Sequence, residues 1–122
     1  MILADTSVWI DHFRLKDLKL SELLEANEII IHSFIIGEIA LGSFRQRSVI
    51  LERLDDLPHL DLASDQEVRY LIEQEKLFSR GIGYVDTQLI ASARLKPGTL
   101  IWTRDKRFHD VVEQLGLASL QD

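Results

Sequence analysis

Four carboxylates in the chain stand where a side chain can do more than face solvent: Asp5, Glu38, Asp86 and Asp105. Asp5 follows the apolar run Ile2-Leu-Ala4, and Asp105 follows Thr99-Leu-Ile-Trp-Thr103 and Arg104. Both runs read as buried strands, and the carboxyl end of a parallel strand is where open α/β sheets place their ligands. Asp86 falls in the first turn of a helix opening at Tyr84, where the helix dipole favours negative charge. Glu38 is the one charged residue in Phe34-Ile-Ile-Gly-Glu-Ile-Ala-Leu41. A helix apolar on nearly every face is expected to be buried. A buried carboxylate is costly unless it is paired, so Glu38 calls for an arginine such as Arg45 or Arg94, or for a cation shared with other acids.

Taken singly, Asp5 and Asp105 are explained by helix capping and Asp86 by the dipole. Taken jointly, one pocket accounts for all four. Carboxylates gathered so closely repel unless a cation lies among them. Oxygen donors without cysteine or an adjacent histidine suit a hard ion, Mg²⁺ or Mn²⁺. Such an ion, held by carboxylates and water, commonly serves phosphate chemistry. The hydroxyls of Ser7 and Thr103, next to Asp5 and Asp105, are placed to support such a site or simply to cap.

The elements that must position these groups alternate along the chain. Helical patterns run from about Ser7 to Leu15 and from Leu18 to Ala26. A strand is expected at Glu28–His32, and the Phe34–Leu41 helix follows, capped by Ser33 and closed by Gly42. A further helix ends at Leu57 before Pro58, and His59–Ala63 reads as a short strand. A longer amphipathic helix spans Ser64 to about Phe78. Gly81-Ile-Gly83 breaks the chain before the Tyr84–Leu95 helix. After Thr99–Thr103, a helix covers Lys106 to Leu115, and Leu117–Leu120 reads as a last edge strand. Strands separated by helices throughout predict an α/β fold with a mainly parallel sheet and helices on both faces.

The chain has 122 residues, 46% hydrophobic and 28% charged, which suits one globular domain over residues 1–122. It has no cysteine, which excludes disulfides, thiolate metal sites and cysteine nucleophiles. No signal sequence or membrane-length apolar run is visible, so a cytoplasmic protein with no membrane partner is expected. A net charge of −6 argues against generic coating of nucleic acid. It is compatible with an enzyme of nucleic acids whose acidic site itself contributes to the balance.

The blocks Met1–Asp11, Gly37-Glu-Ile-Ala-Leu-Gly42, Gly83-Tyr-Val-Asp-Thr-Gln-Leu-Ile-Ala-Ser-Ala93 and Trp102-Thr-Arg-Asp-Lys-Arg-Phe108 resemble the four acidic blocks of PIN-domain ribonucleases. More narrowly, they are similar to VapC toxins of toxin–antitoxin pairs, over essentially the whole chain. The resemblance implies a three-layer α/β/α sandwich and Mg²⁺- or Mn²⁺-dependent endonucleolytic cleavage of RNA. It implies a cognate VapB-type antitoxin that blocks the site, and a homodimer. Residue by residue, it assigns Asp5, Glu38, Asp86 and Asp105 to catalysis and metal binding, with Ser7 and Thr103 at the hydroxyl positions. Gly81-Ile-Gly-Tyr-Val departs mildly from the approach to Asp86 that many relatives carry.

Other residues leave alternatives open. His12, His32, His59 and His109 lack metal-ligand spacing; a pair acting as acid and base would cleave RNA without metal. Arg45, Arg47, Arg80, Arg104, Lys106 and Arg107 are candidates to flank an RNA path. Phe13, Leu15, Phe44 and the Leu18–Leu24 helix are candidates for an apolar groove or dimer face. Competing readings are a receiver-type phosphoacceptor, a haloacid-dehalogenase-like phosphatase and a non-catalytic binding module. The first lacks paired acids after the first strand, and the second lacks an acid at Ser7.

Overall fold

The structure is a computed structural model, and it describes residues 1–119. Its order is β1 (Ile2–Ala4), α1 (Thr6–Arg14), α2 (Leu18–Glu25), β2 (Ile29–Ile30), α3 (Ser33–Ala40), α4 (Arg47–Asp55), α5 (Asp65–Gln74), α6 (Tyr84–Arg94), β3 (Leu100–Trp102) and α7 (Lys106–Gln114). The strands pair in parallel in the order β2-β1-β3, with Leu3 opposite both Ile30 and Ile101. Leu3, Ile30 and Ile101 are fully buried, because helices cover both faces of the sheet.

Two isolated parallel bridges extend this order. Ile31 pairs with His59 beyond β2, and Ile101 pairs with Ala118 beyond β3. The strand expected at His59–Ala63 is therefore reduced to one bridging residue. Leu60 turns into the core and Ala63 is held by helix α6 rather than by a neighbouring strand. The expected edge strand Leu117–Leu120 is likewise reduced to Ala118, and Leu120 lies outside the described residues. The α5 helix ends at Gln74, earlier than expected. Lys76 and Ser79 take left-handed backbone angles, and Leu77 turns into the core.

Right-handed crossovers dictate the layers. The chain first moves outward from β1 to β2 and then to His59, with α1 to α4 on one face. It then returns across the sheet to β3 and Ala118, with α5 to α7 on the other. Helices α1 and α3 accordingly touch, as do α5 and α6. The direction reverses between β1 and β3, and their carboxyl ends open the crevice where doubly wound folds bind ligands. Asp5 directly follows β1, and Thr103 to Asp105 directly follow β3.

A buried polar network locks α3 to α6. The His32 backbone-proximal Nδ1 accepts the Phe34 N–H at 2.9 Å and caps α3. Its Nε2–H then points to Ser92 Oγ at 3.0 Å and Gln88 Oε1 at 3.2 Å. Gln88 Nε2 donates to the Ala63 carbonyl, and Ala63 N–H donates to Ser92 Oγ. Burial, partly offset by the Gln88 bond and reinforced by the nearby His59, holds the His32 pKa below its usual value. The neutral ring is thus favoured on folding. Stability from this group is fully present above about pH 6.5 and is lost as pH falls below it toward the depressed native value. The variant His32→Asn keeps a capping oxygen without the titration. Its melting temperature should fall less steeply than wild type between about pH 6.5 and 5; parallel curves would overturn this role for His32.

Candidate active site

The two strand ends are laced together through hydroxyls. Asp5, nearly buried at 7% exposure, caps α1 by accepting the Ser7 N–H at 3.0 Å. The Ser7 hydroxyl donates to the same Oδ1 at 2.5 Å, and the buried Thr103 hydroxyl donates to Oδ2 at 2.5 Å. Each hydroxyl also accepts a backbone N–H: Ser7 from Arg104 across the crevice at 3.1 Å, and Thr103 from Asp105, two residues on, at 3.1 Å. Burial pushes the Asp5 pKa up, while the Ser7 and Thr103 bonds oppose the rise. Asp105 caps α7 through the Phe108 N–H at 3.1 Å, with its side chain exposed.

Asp86 lies in the first turn of α6, half-buried, and accepts the Gly83 N–H at 3.2 Å. Its pKa is raised, first by burial and then by the negative charges of Asp5, Asp105 and Glu38, against the Gly83 bond. That shift records the relation among the four acids: residues spread over a hundred positions of chain act on one carboxyl group.

Glu38 corrects the sequence reading. It is exposed, not buried, because α3 turns Ile35 and Ile39 inward and leaves Phe34, Gly37, Glu38 and Leu41 at the surface. Uniform apolarity concealed that two-sided arrangement. Glu38 accepts the Thr6 hydroxyl at 2.6 Å, a bond joining α3 to the start of α1. Neither candidate arginine neutralises it: Arg94 faces Glu75 at 3.5 Å, and no ion pair to Glu38 occurs among the described residues.

Among the described residues, no three His, Cys, Asp or Glu side chains already stand close enough to ligate one ion directly. The donors are nevertheless all oxygen, and Asp86 experiences the other three acids as repulsive charge. A hydrated Mg²⁺ or Mn²⁺, which keeps several waters and takes few direct carboxylate ligands, fits that donor set.

Arg104 is committed elsewhere. Its guanidinium donates to Asp11 at 2.8 Å and to Asp17 at 2.5 Å, and it lies over the Trp102 ring at 5.3 Å from the centroid. This cation ties the β3–α7 corner to α1 and to the capping residue of α2. The sequence did not disclose this clamp, nor the Gln88–Ser92 pair. Two polar residues four apart within the apolar stretch of α6 were the available signal for the latter.

The PIN domain family profile matches residues 2–114. The chain is also 42% identical to Ribonuclease VapC32 of Mycobacterium tuberculosis, in strains CDC 1551 and H37Rv. That alignment spans 100% of this chain and 98% of the relative. The chain belongs to the PIN-domain family, among its VapC-type ribonucleases. For this PIN domain the doubly wound parallel sheet is the expected architecture, and the acids follow β1, ride on α3, open α6 and cap α7.

Proposed function

We propose that this PIN domain is a divalent-metal-dependent endoribonuclease, the toxin of a VapBC-type pair. The observation that carries this reading is the placement of Asp5 directly after β1 and of Asp105 just beyond β3, at the switch point of the sheet in a chain of the PIN family, with Asp86 near enough to feel the charge of both and of Glu38. Asp5, Glu38, Asp86 and Asp105 would hold Mg²⁺ or Mn²⁺, directly or through water. When bound, such an ion would supply an activated water and offset charge on the phosphodiester. Ser7 fixes Asp5 Oδ1 with both its N–H and its hydroxyl, and Thr103 engages Oδ2 once, which leaves acceptor capacity on Oδ2. Thr6 holds Glu38 and Gly83 holds Asp86 in the same way. In-line hydrolysis, in which the water oxygen bonds to phosphorus as the P–O3′ bond breaks and the 3′-oxygen takes a proton, would leave a 5′-phosphate and a 3′-hydroxyl.

Histidine is not required. Each is engaged elsewhere: His32 in the α3–α6 network, His12 with the Asp17 N–H, His59 with the Asp55 carbonyl and His109 with Glu113. The decisive measurement is cleavage of total cellular RNA with Mn²⁺ and with EDTA, followed by mapping of the ends. Cleavage confined to the Mn²⁺ reaction, with 5′-phosphates, is expected. Undiminished cleavage in EDTA would overturn the metal mechanism and return the histidines to consideration.

A VapB-type antitoxin and a homodimer complete this reading, in the cytoplasm. The apolar groove of about 440 Å³ lined by Trp9, Phe13, Leu24, Ile50, Leu54 and Leu57 supports antitoxin docking. Phe44 stacks on Phe13 beside it, ring centroids 5.0 Å apart. No helix among the described residues is long and apolar enough to cross a membrane.

A further inference from the structure

The three basic residues around Asp105 have different fates. Arg104 is held by Asp11 and Asp17. Lys106 and Arg107 are both exposed in the first turn of α7. The Arg107 side chain crosses Gly81, in the loop that leads into α6. A Cβ on Gly81 would lie 2.6 Å from Arg107 Cδ, 2.9 Å from Nη1 and 3.3 Å from Nε. Gly81 also takes φ +81°, a backbone angle that glycine adopts readily and other residues do not. The missing side chain at position 81 is therefore what lets the guanidinium lie between α7 and the α6 loop.

This placement joins the two helix starts that bear Asp105 and Asp86. Arg107 is two residues beyond Asp105, and Gly81 is two residues before Gly83, which holds the Asp86 carboxylate. Among the described residues Arg107 has no carboxylate within ion-pair distance, and it is absent from the charges that act on Asp86. It is a planar, permanently charged fork beside the acids that is not spent on neutralising them. Phosphate matches such a fork with paired hydrogen bonds.

We propose that Arg107, lying on the saddle made by Gly81, is a phosphate-binding residue that grips the RNA backbone next to the acidic site. The inference rests on the nuclease reading and gives it a substrate contact. An acidic centre repels an approaching RNA strand, and a cation at its rim holds a neighbouring phosphate so that the strand crosses the carboxylates in a fixed register. Phosphate contact carries no base information, so the residue contributes affinity and positioning across sequences.

The test separates binding from cutting. A fluorescein-labelled single-stranded RNA of mixed sequence is titrated with Asp5→Asn protein carrying Arg107, Arg107→Ala or Arg107→Lys, over a series of salt concentrations. Arg107→Ala should bind about tenfold more weakly at low salt. Its log–log salt slope should fall by about 0.7, the value for one lost phosphate contact on a single strand. Arg107→Lys should keep the slope and recover part of the affinity. Gly81→Ala should weaken binding in the Arg107 protein and add nothing in Arg107→Ala. Unchanged affinity in Arg107→Ala, or weakened affinity with an unchanged slope, overturns the proposal. Should Gly81→Ala not fold, the Arg107 variants decide alone. Wild-type cleavage with Mn²⁺ is a separate arm: its absence would sink the nuclease reading, whereas the slope speaks only to Arg107.

Discussion

Asp86→Asn is expected to lower RNA cleavage by about 10³-fold while leaving the metal-free protein as stable as wild type or more so. The asparagine oxygen can still accept the Gly83 N–H that holds Asp86. What disappears is the charge, and with it the repulsion from Asp5, Asp105 and Glu38 that raises the Asp86 pKa. Folding without metal should therefore lose nothing, while attraction for a divalent cation falls. Asp5→Asn is expected to cut activity as deeply but to cost some stability. Its amide would meet the Ser7 or Thr103 hydroxyl in place of a carboxylate that accepts from both. Cleavage with Mn²⁺ and thermal unfolding in EDTA check both variants together. Near-normal cleavage by either one would remove the basis of the acid-site mechanism.

Thr103→Val should destabilise the fold by about 2–3 kcal/mol and raise the Mn²⁺ concentration needed for half-maximal cleavage by about 10–100-fold. Valine matches threonine in shape, so packing around this buried side chain is preserved. The hydroxyl it removes serves two groups at once: it donates to Asp5 Oδ2 and accepts the Asp105 N–H. Its loss leaves a nearly buried carboxylate oxygen without its donor and frees the β3–α7 corner from β1. Burial already pushes the Asp5 pKa up, and the Thr103 bond opposes that rise. Removing the bond should drive it higher, so the carboxylate becomes harder to keep ionised. Denaturant unfolding gives the stability term, and the Mn²⁺ concentration for half-maximal cleavage gives the other. Thr103→Ser should restore both in part; a serine variant no better than valine would show that packing, not the hydroxyl, matters.

The parts of this architecture that sequence disclosed were those set by local chemistry. Ile2–Ala4 and Thr99–Thr103 read as buried strands because they are short, apolar and bounded by turn-forming or capping residues, and they form as Ile2–Ala4 and Leu100–Trp102. Asp5 and Asp105 were placed at sheet ends and Asp86 in a helical first turn on the same grounds, and there they lie. Their assignment to metal and catalysis is the separate, functional proposal. Burial of Glu38 was misread because hydrophobicity reports composition, whereas exposure depends on which face a neighbour covers. Strand order, the Arg104 clamp and the His32–Gln88–Ser92 network were not legible, since each is made by partners dozens of residues apart. His59–Ala63 alternates like a strand, yet its end is claimed by α6: Gln88 donates to the Ala63 carbonyl and the Ala63 N–H donates to Ser92.

The central position of β1 has a temporal consequence. Its neighbour on one side is β2, available early, but on the other it is β3, whose first residue pairs with Ile2 across nearly a hundred positions. A growing polypeptide that has reached only α6 contains Asp5, Glu38 and Asp86 but has no Thr103 to grip Asp5 and no Asp105. Assembly of the acidic crevice must wait for that late strand to close the sheet, a long-range pairing of the kind that slows folding. A half-made copy therefore carries three of the four acids without the late strand whose Thr103 holds Asp5 in place.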